Sequence, residues 1–183
     1  MRVISGDPRR VATILPGKGY TASAPLLYYA TMLLTARGWT VRQVSWSGVD
    51  RIGPEEAAAQ ARHELDAVSA PLHLVVAKSL GTFSLPDAME RHLPGVWLTP
   101  ILTEPTIAAA LSTIAAPTLL VGGTADPYWV SDVARRSGAD DLEIPEGDHS
   151  LEVGSAIEPA LAVVRLVMDR MSSFLDSIPN NSE

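Results

Sequence analysis

Cysteine is absent from the sequence, which excludes disulfides and any thiolate-ligated zinc site, though it leaves the compartment open. No apolar run approaches the roughly 18 residues of a membrane-spanning helix. Residues 1–10 lack the apolar core, about 7–15 residues long, of a secretory signal. Positive charge is in deficit. The net charge of −7 favours solubility and argues against a nucleic-acid surface. Lysine is nearly missing: of 14 basic residues, only Lys18 and Lys78 are lysines. These absences lead us to expect a soluble cytoplasmic protein with neither a nucleic-acid nor a membrane partner. They leave the oligomeric state open.

What is present suits one compact domain. The 183 residues can bury a substantial core, and 46% hydrophobic with 19% charged residues is an ordinary globular composition. Short apolar runs alternate with amphipathic segments. Strands are expected at 11–15, 41–46, 72–77, 96–99, 118–122 and 142–144. A short extra strand at 2–4 is possible before a turn at Gly6-Asp7-Pro8. Helices are expected at 25–37, 54–68, 82–92, 105–113, 128–136 and 155–175. Gly38 suits a helix stop, and Pro54 suits the first position of the second helix. The strands are continuous apolar runs, as in a parallel sheet covered on both faces. The expected class is therefore α/β: a three-layer αβα sandwich on a mostly parallel sheet of six to seven strands. Residues 1–183 form one domain in this reading, with disorder confined to the tail near 179–183.

In such a sheet the chemistry gathers at the carboxyl ends of the strands. Three loops there carry suitable residues. Ala77-Lys78-Ser79-Leu80-Gly81 matches a nucleophile elbow, G-x-S-x-G, with Ala in the first glycine's place. By itself it could be a plain turn. Asp126-Pro127 follows the fifth main strand; it could orient an imidazole or merely start a turn and cap the next helix. Gly147-Asp148-His149 follows the sixth, where a general base would sit. His63, His73 and His92 read as surface or structural residues. The order Ser, Asp, His, each just past a strand, is far more specific than any one loop, because base must reach nucleophile and acid must hold base.

On these motifs the sequence resembles the α/β-hydrolase superfamily over nearly its whole length. The match includes the post-strand loop Leu15-Pro16-Gly17-Lys18-Gly19. The resemblance implies Ser79 as nucleophile, His149 as general base and Asp126 as orienting acid; Asp148 and Glu104 are nearby acids that could take the place of Asp126. It implies an oxyanion hole from the backbone N–H groups of Lys18 and Leu80, and no cofactor or metal. It implies a serine hydrolase of esterase type acting on a small-molecule acyl substrate. The sequence departs from the pattern at Ala77 and at Pro16, where a histidine is usual. Pro86 should break or restart the helix after the elbow, with Ser84 as cap. About 18 residues separate Thr99 from Thr118, room for one helix and no cap domain. The site should be shallow and open, with Tyr20, Pro100, Ile101, Leu102, Tyr128 and Trp129 as candidate walls, each of which could equally be ordinary packing, and Gly17 as a further candidate substrate contact.

The two lysines fall beside these motifs. They could make the mouth electropositive and favour an anionic substrate, or Lys78 could point sideways and pair with Glu104. Two further readings compete. Gly17, Gly19 and Ala22 fit a dinucleotide fingerprint, G-x-G-x-x-A, although the next strand lacks the acid that would hold the ribose. A non-catalytic, partner-binding protein on a hydrolase-like scaffold is the other.

Overall fold

The computed structural model describes residues 1–179; the expected disordered tail beyond them lies outside the described residues. Seven strands form one sheet: β1 (Arg2–Ile4), β2 (Asp7–Leu15), β3 (Trp39–Gln43), β4 (Leu72–Lys78), β5 (Gly95–Leu98), β6 (Thr118–Gly123) and β7 (Asp140–Ile144). The spatial order is β1-β3-β2-β4-β5-β6-β7. Only β1 is antiparallel to its neighbour. The helices are α1 (Pro25–Ala36), α2 (Pro54–Asp66), α3 (Leu85–Glu90), α4 (Pro105–Ala110), α5 (Ser131–Arg136) and α6 (Ile157–Ser177).

Strand side chains alternate between two cores, as the period of two requires. Leu74 and Val76 join Leu27, Ala30, Val167 and Met171 under α1 and α6. Val75 and Ala77 join Ala61, Leu65, Ala88 and Ile107 under α2, α3 and α4. This is the three-layer sandwich expected from the uninterrupted apolar strands. At about 25 cal/mol per Å2 of apolar surface, each fully buried leucine or valine contributes roughly 1.5–3 kcal/mol relative to exposure.

The chain leaves β2 toward β3 on one side and returns to β4 on the other. The strand order therefore reverses between β2 and β4, and the loops after these two strands stand at the carboxyl edge where ligands bind in such sheets.

Several boundaries differ from expectation. Asp7-Pro8 is not a turn: β2 starts at Asp7, with a register shift between Asp7 and Val11. The proline is tolerated where the ladder is already irregular. The segment after the elbow is a 3-10 turn over Ser79–Ser84, which becomes α-helical only at Leu85 with Pro86 in the first turn. Ser84 makes no side-chain cap; its hydroxyl donates to the Gly81 carbonyl instead. The helix expected from residue 128 begins at Ser131, because residues 126–129 close a separate turn. Residues 99–117 hold α4 and one further 3-10 turn, with no cap domain.

Candidate active site

Ser79 follows β4 directly and sits at φ 50°, in the left-handed region that costs a non-glycine residue about 1–2 kcal/mol. That conformation turns the chain off the strand and lifts the hydroxyl out of the sheet. The strain is held in place from below. A Cβ on Gly81 would stand 2.8 Å from the Leu15 carbonyl carbon and 2.9 Å from the Pro16 carbonyl oxygen, so only glycine lets the turn lie on the β2 loop. Thr82 reinforces it, its hydroxyl donating to the Ser79 carbonyl at 2.6 Å.

His149 arrives on the loop after β7. Its Nε2 lies 2.7 Å from Ser79 Oγ, and its Nδ1 lies 2.8 Å from Asp126 Oδ2. Asp126 is buried, and its second oxygen accepts the Tyr128 N–H at 2.9 Å. Asp126 thus starts a turn and meets the imidazole at once: Oδ1 closes the 126–129 turn and Oδ2 faces His149 Nδ1, but it does not cap the next helix, which opens at Ser131 with no side-chain cap. Asp148 makes no hydrogen bond to the imidazole. Its Oδ1 accepts the N–H groups of Ser150 and Glu152 and so shapes the loop that presents His149.

The β2 loop lies against Ser79. A Cβ at Gly17 would come within 3.2 Å of Ser79 Cβ. Gly17 N–H donates to the Tyr20 carbonyl at 3.1 Å, closing a tight turn around Lys18 and Gly19. Pro16, in the place of the usual histidine, gets its support from elsewhere. Its carbonyl accepts the Trp46 indole N–H at 2.9 Å, a brace that sequence reading missed because Trp46 lies 30 residues on. This geometry also disposes of the dinucleotide fingerprint: Ala22-Ser23 is a turn, α1 opens only at Pro25, and Gly17 faces Ser79.

The candidate walls divide. Tyr128 is exposed, its ring edge-on to the His149 imidazole at 5.0 Å between centroids. Tyr20 is half-buried; its hydroxyl accepts the Leu26 N–H, and burial raises its pKa. Trp129 is a correction. It turns inward onto Gly122 and donates its indole N–H to Glu143 at 2.6 Å. Ile101 and Leu102 are buried with the core under α4, and Leu102 N–H ties the β5 loop to the Tyr128 carbonyl.

The lysines part company as well. Lys18 is exposed at the loop tip, its ammonium 3.4 Å from the Ile52 carbonyl. Lys78 is 2% exposed and neither lines the mouth nor meets Glu104. It follows Leu74 and Val76 on the α1–α6 face of β4. Its ammonium donates to Thr99 Oγ1 at 3.0 Å and to the His149 carbonyl at 2.9 Å, and lies 4.4 Å from the Tyr20 ring centroid. Burial lowers its pKa to about 8, a shift the carboxylates of Asp126 and Asp148 partly oppose.

No family model matches the sequence, and no curated protein matches it. The fold, however, superimposes on solved structures almost end to end. Est1E from Butyrivibrio proteoclasticus, with ferulic acid bound, matches at a TM-score of 0.71 and 10% identity, covering 95% of this chain and 92% of that one. The chain has the α/β-hydrolase fold. Mouse alpha/beta hydrolase domain-containing protein 10 matches at 0.69 and 13% identity, over 96% of this chain and 92% of that one. Dienelactone hydrolase from Anabaena variabilis matches at 0.69 and 15% identity, over 97% and 91%. In this chain the turn after β4 and the loops after β6 and β7 bring Ser79 and Asp126 each within hydrogen-bond distance of His149. Among the described residues no cluster of His, Asp or Glu could hold a metal ion, and no helix is long and apolar enough to cross a membrane.

Proposed function

We propose that this chain is a serine hydrolase of esterase type, cleaving an acyl bond of a small molecule. The observation that carries the reading is the unbroken chain from Asp126 Oδ2 through the His149 ring to Ser79 Oγ, with Ser79 raised on a left-handed turn. Asp126 keeps the proton on Nδ1, so Nε2 is free to accept. Nε2 takes the Ser79 proton as Oγ attacks the carbonyl carbon. The carbonyl oxygen becomes an oxyanion, stabilised by the N–H groups of Leu80 and Lys18 on the two loops that meet at Ser79; losing one such donor costs roughly 100- to 1000-fold. The tetrahedral species collapses, its leaving oxygen takes the proton from Nε2, and the acyl group stays on Ser79. Water then gives its proton to Nε2, attacks the acyl carbon and releases the acid and the free serine. No group beyond these side chains and water is needed to balance the cycle.

The similarity to proteins named as hydrolases supports this chemistry, and the intact hydrogen-bonded geometry favours it over a partner-binding scaffold. Intact-mass measurement of fluorophosphonate labelling tests it. Wild type should take one adduct; Ser79→Ala and His149→Ala should take none. A well-folded wild type that stays unlabelled would overturn the proposal.

A further inference from the structure

Lys78 stands out because the chemistry above does not use it. A lysine with 2% exposure is rare unless paired with an acid, and this one is held by neutral oxygens and a ring face. Its contacts belong to four different strand ends: its own at β4, Thr99 after β5, His149 after β7 and Tyr20 after β2. Thr99 is itself unusual. It is wholly buried at φ 45°, a conformation a β-branched residue seldom adopts, with its N–H on the Val121 carbonyl at 2.7 Å. That backbone is fixed where its hydroxyl meets the ammonium.

We propose that Lys78 is a positioning residue for the general base: its ammonium, seated between Thr99 Oγ1 and the His149 carbonyl, fixes the His149 backbone so that Nε2 stays on Ser79. The proposal rests on the reading of Ser79 and His149 as nucleophile and base. The imidazole's two partners fix its ring, but neither fixes the loop that carries it. The β7 loop is shaped by its own Asp148 turn and tied to the β6 loop, through the Ala125 N–H on the Gly147 carbonyl and the Glu146 N–H on Thr124 Oγ1, but none of these bonds reaches β4. Lys78 is the side chain that ties this loop to the nucleophile's strand, and it is covalently next to Ser79. Movement of the base relative to the nucleophile must therefore stretch the Lys78 bond to the His149 carbonyl. A misplacement of about 1 Å in such a pair can cost roughly 100-fold in rate.

The test compares wild type with Lys78→Met and Thr99→Val in two measurements. The first is fluorophosphonate labelling, resolved into the rate at saturation and the half-saturating concentration. The second is the downfield proton resonance of His149 Nδ1, assigned by its loss in His149→Ala. Methionine fills the lysine's space without a charge, so Lys78→Met should fold, with its melting point lowered modestly because Thr99 Oγ1 and the His149 carbonyl lose their donor. It should lower the saturating rate by about 10- to 100-fold, leave the half-saturating concentration unchanged, and broaden or erase the resonance. Thr99→Val keeps the bond to the His149 carbonyl and should move both readouts the same way, but less. Wild-type labelling and an unchanged resonance in Lys78→Met would overturn the proposal while leaving Ser79 as nucleophile. If wild type itself is not labelled, the hydrolase reading fails, and the resonance alone decides whether Lys78 holds His149. If Lys78→Met does not fold, the same two readouts on Thr99→Val decide.

Discussion

Asp126→Asn is the sharpest single test of the proposed chemistry, because Asp126 serves two masters with two oxygens. An asparagine can keep its Oδ1 on the Tyr128 N–H, so the 126–129 turn should survive. Its other end is an amide that donates, and it would face His149 Nδ1 at a position now occupied by an accepting oxygen 2.8 Å away. The imidazole must then accept at Nδ1 and carry its proton on Nε2, which points at Ser79 Oγ. It can no longer take the serine's proton. Loss of the correct tautomer in a Ser-His-Asp triad costs on the order of 10,000-fold, or about 5 kcal/mol in the barrier. Asp126→Ala should lose activity similarly and also leave the Tyr128 N–H unpaired, at about 1 kcal/mol of stability. The assay is the fluorophosphonate labelling rate, with urea unfolding alongside. Asp126→Asn should match wild type in urea and be almost unreactive. A labelling rate within about tenfold of wild type would refute the tautomer argument.

Three further outcomes follow from the same geometry. His73 is 7% exposed, its Nε2 2.9 Å from Thr13 Oγ1, and its pKa is lowered to about 4 by burial first and by the Arg42 and Arg91 charges next. Protons then bind the unfolded chain before the folded one as pH falls from 6.5 toward 4, so stability is full above that window and drains through it; the drop should be about 2–3 kcal/mol by about pH 4.5. Urea unfolding of wild type and His73→Gln across that range should diverge by this amount, and parallel curves would contradict it. Gly81→Ala puts a methyl into the Leu15–Pro16 backbone; it should cost roughly 1–3 kcal/mol, seen as a lower urea midpoint, and slow labelling as the elbow lifts. Lys18→Gln should weaken any preference for anionic over neutral esters, since Lys18 is the lysine left exposed at the site; an unchanged ratio of hydrolysis rates would remove Lys18 from substrate selection.

Much of this was legible in the sequence because parallel strands buried on both faces announce themselves as apolar runs, and because site residues follow strand ends. The Ser79, Asp126 and His149 loops could be found that way. What escaped depended on contacts between distant segments or on competition within a turn. The inward swing of Trp129 follows from Gly122, whose missing Cβ makes room for the indole. The late start of α5 follows from Asp126 spending an oxygen on its own turn. The fate of Lys78 could not be read from its neighbours, because a lysine beside a nucleophile can point to solvent or to the interior. The pleat decides, and the acceptors waiting inside, Thr99 and the His149 carbonyl, lie 21 and 71 residues away. The short β1 was visible only as a possibility, since three residues carry little pattern.

The single helix between β5 and β6 has a kinetic meaning. His149 keeps 30% of its side chain in solvent, and Tyr128 beside it is 43% exposed. For the proposed cycle, no gate has to open for an acyl-serine to meet water. Turnover is then governed by bond making rather than by loop motion. A long acyl tail would trail into solvent and gain little from its length. Across a series of esters, rate should follow the acidity of the departing alcohol far more steeply than the size of the acyl group.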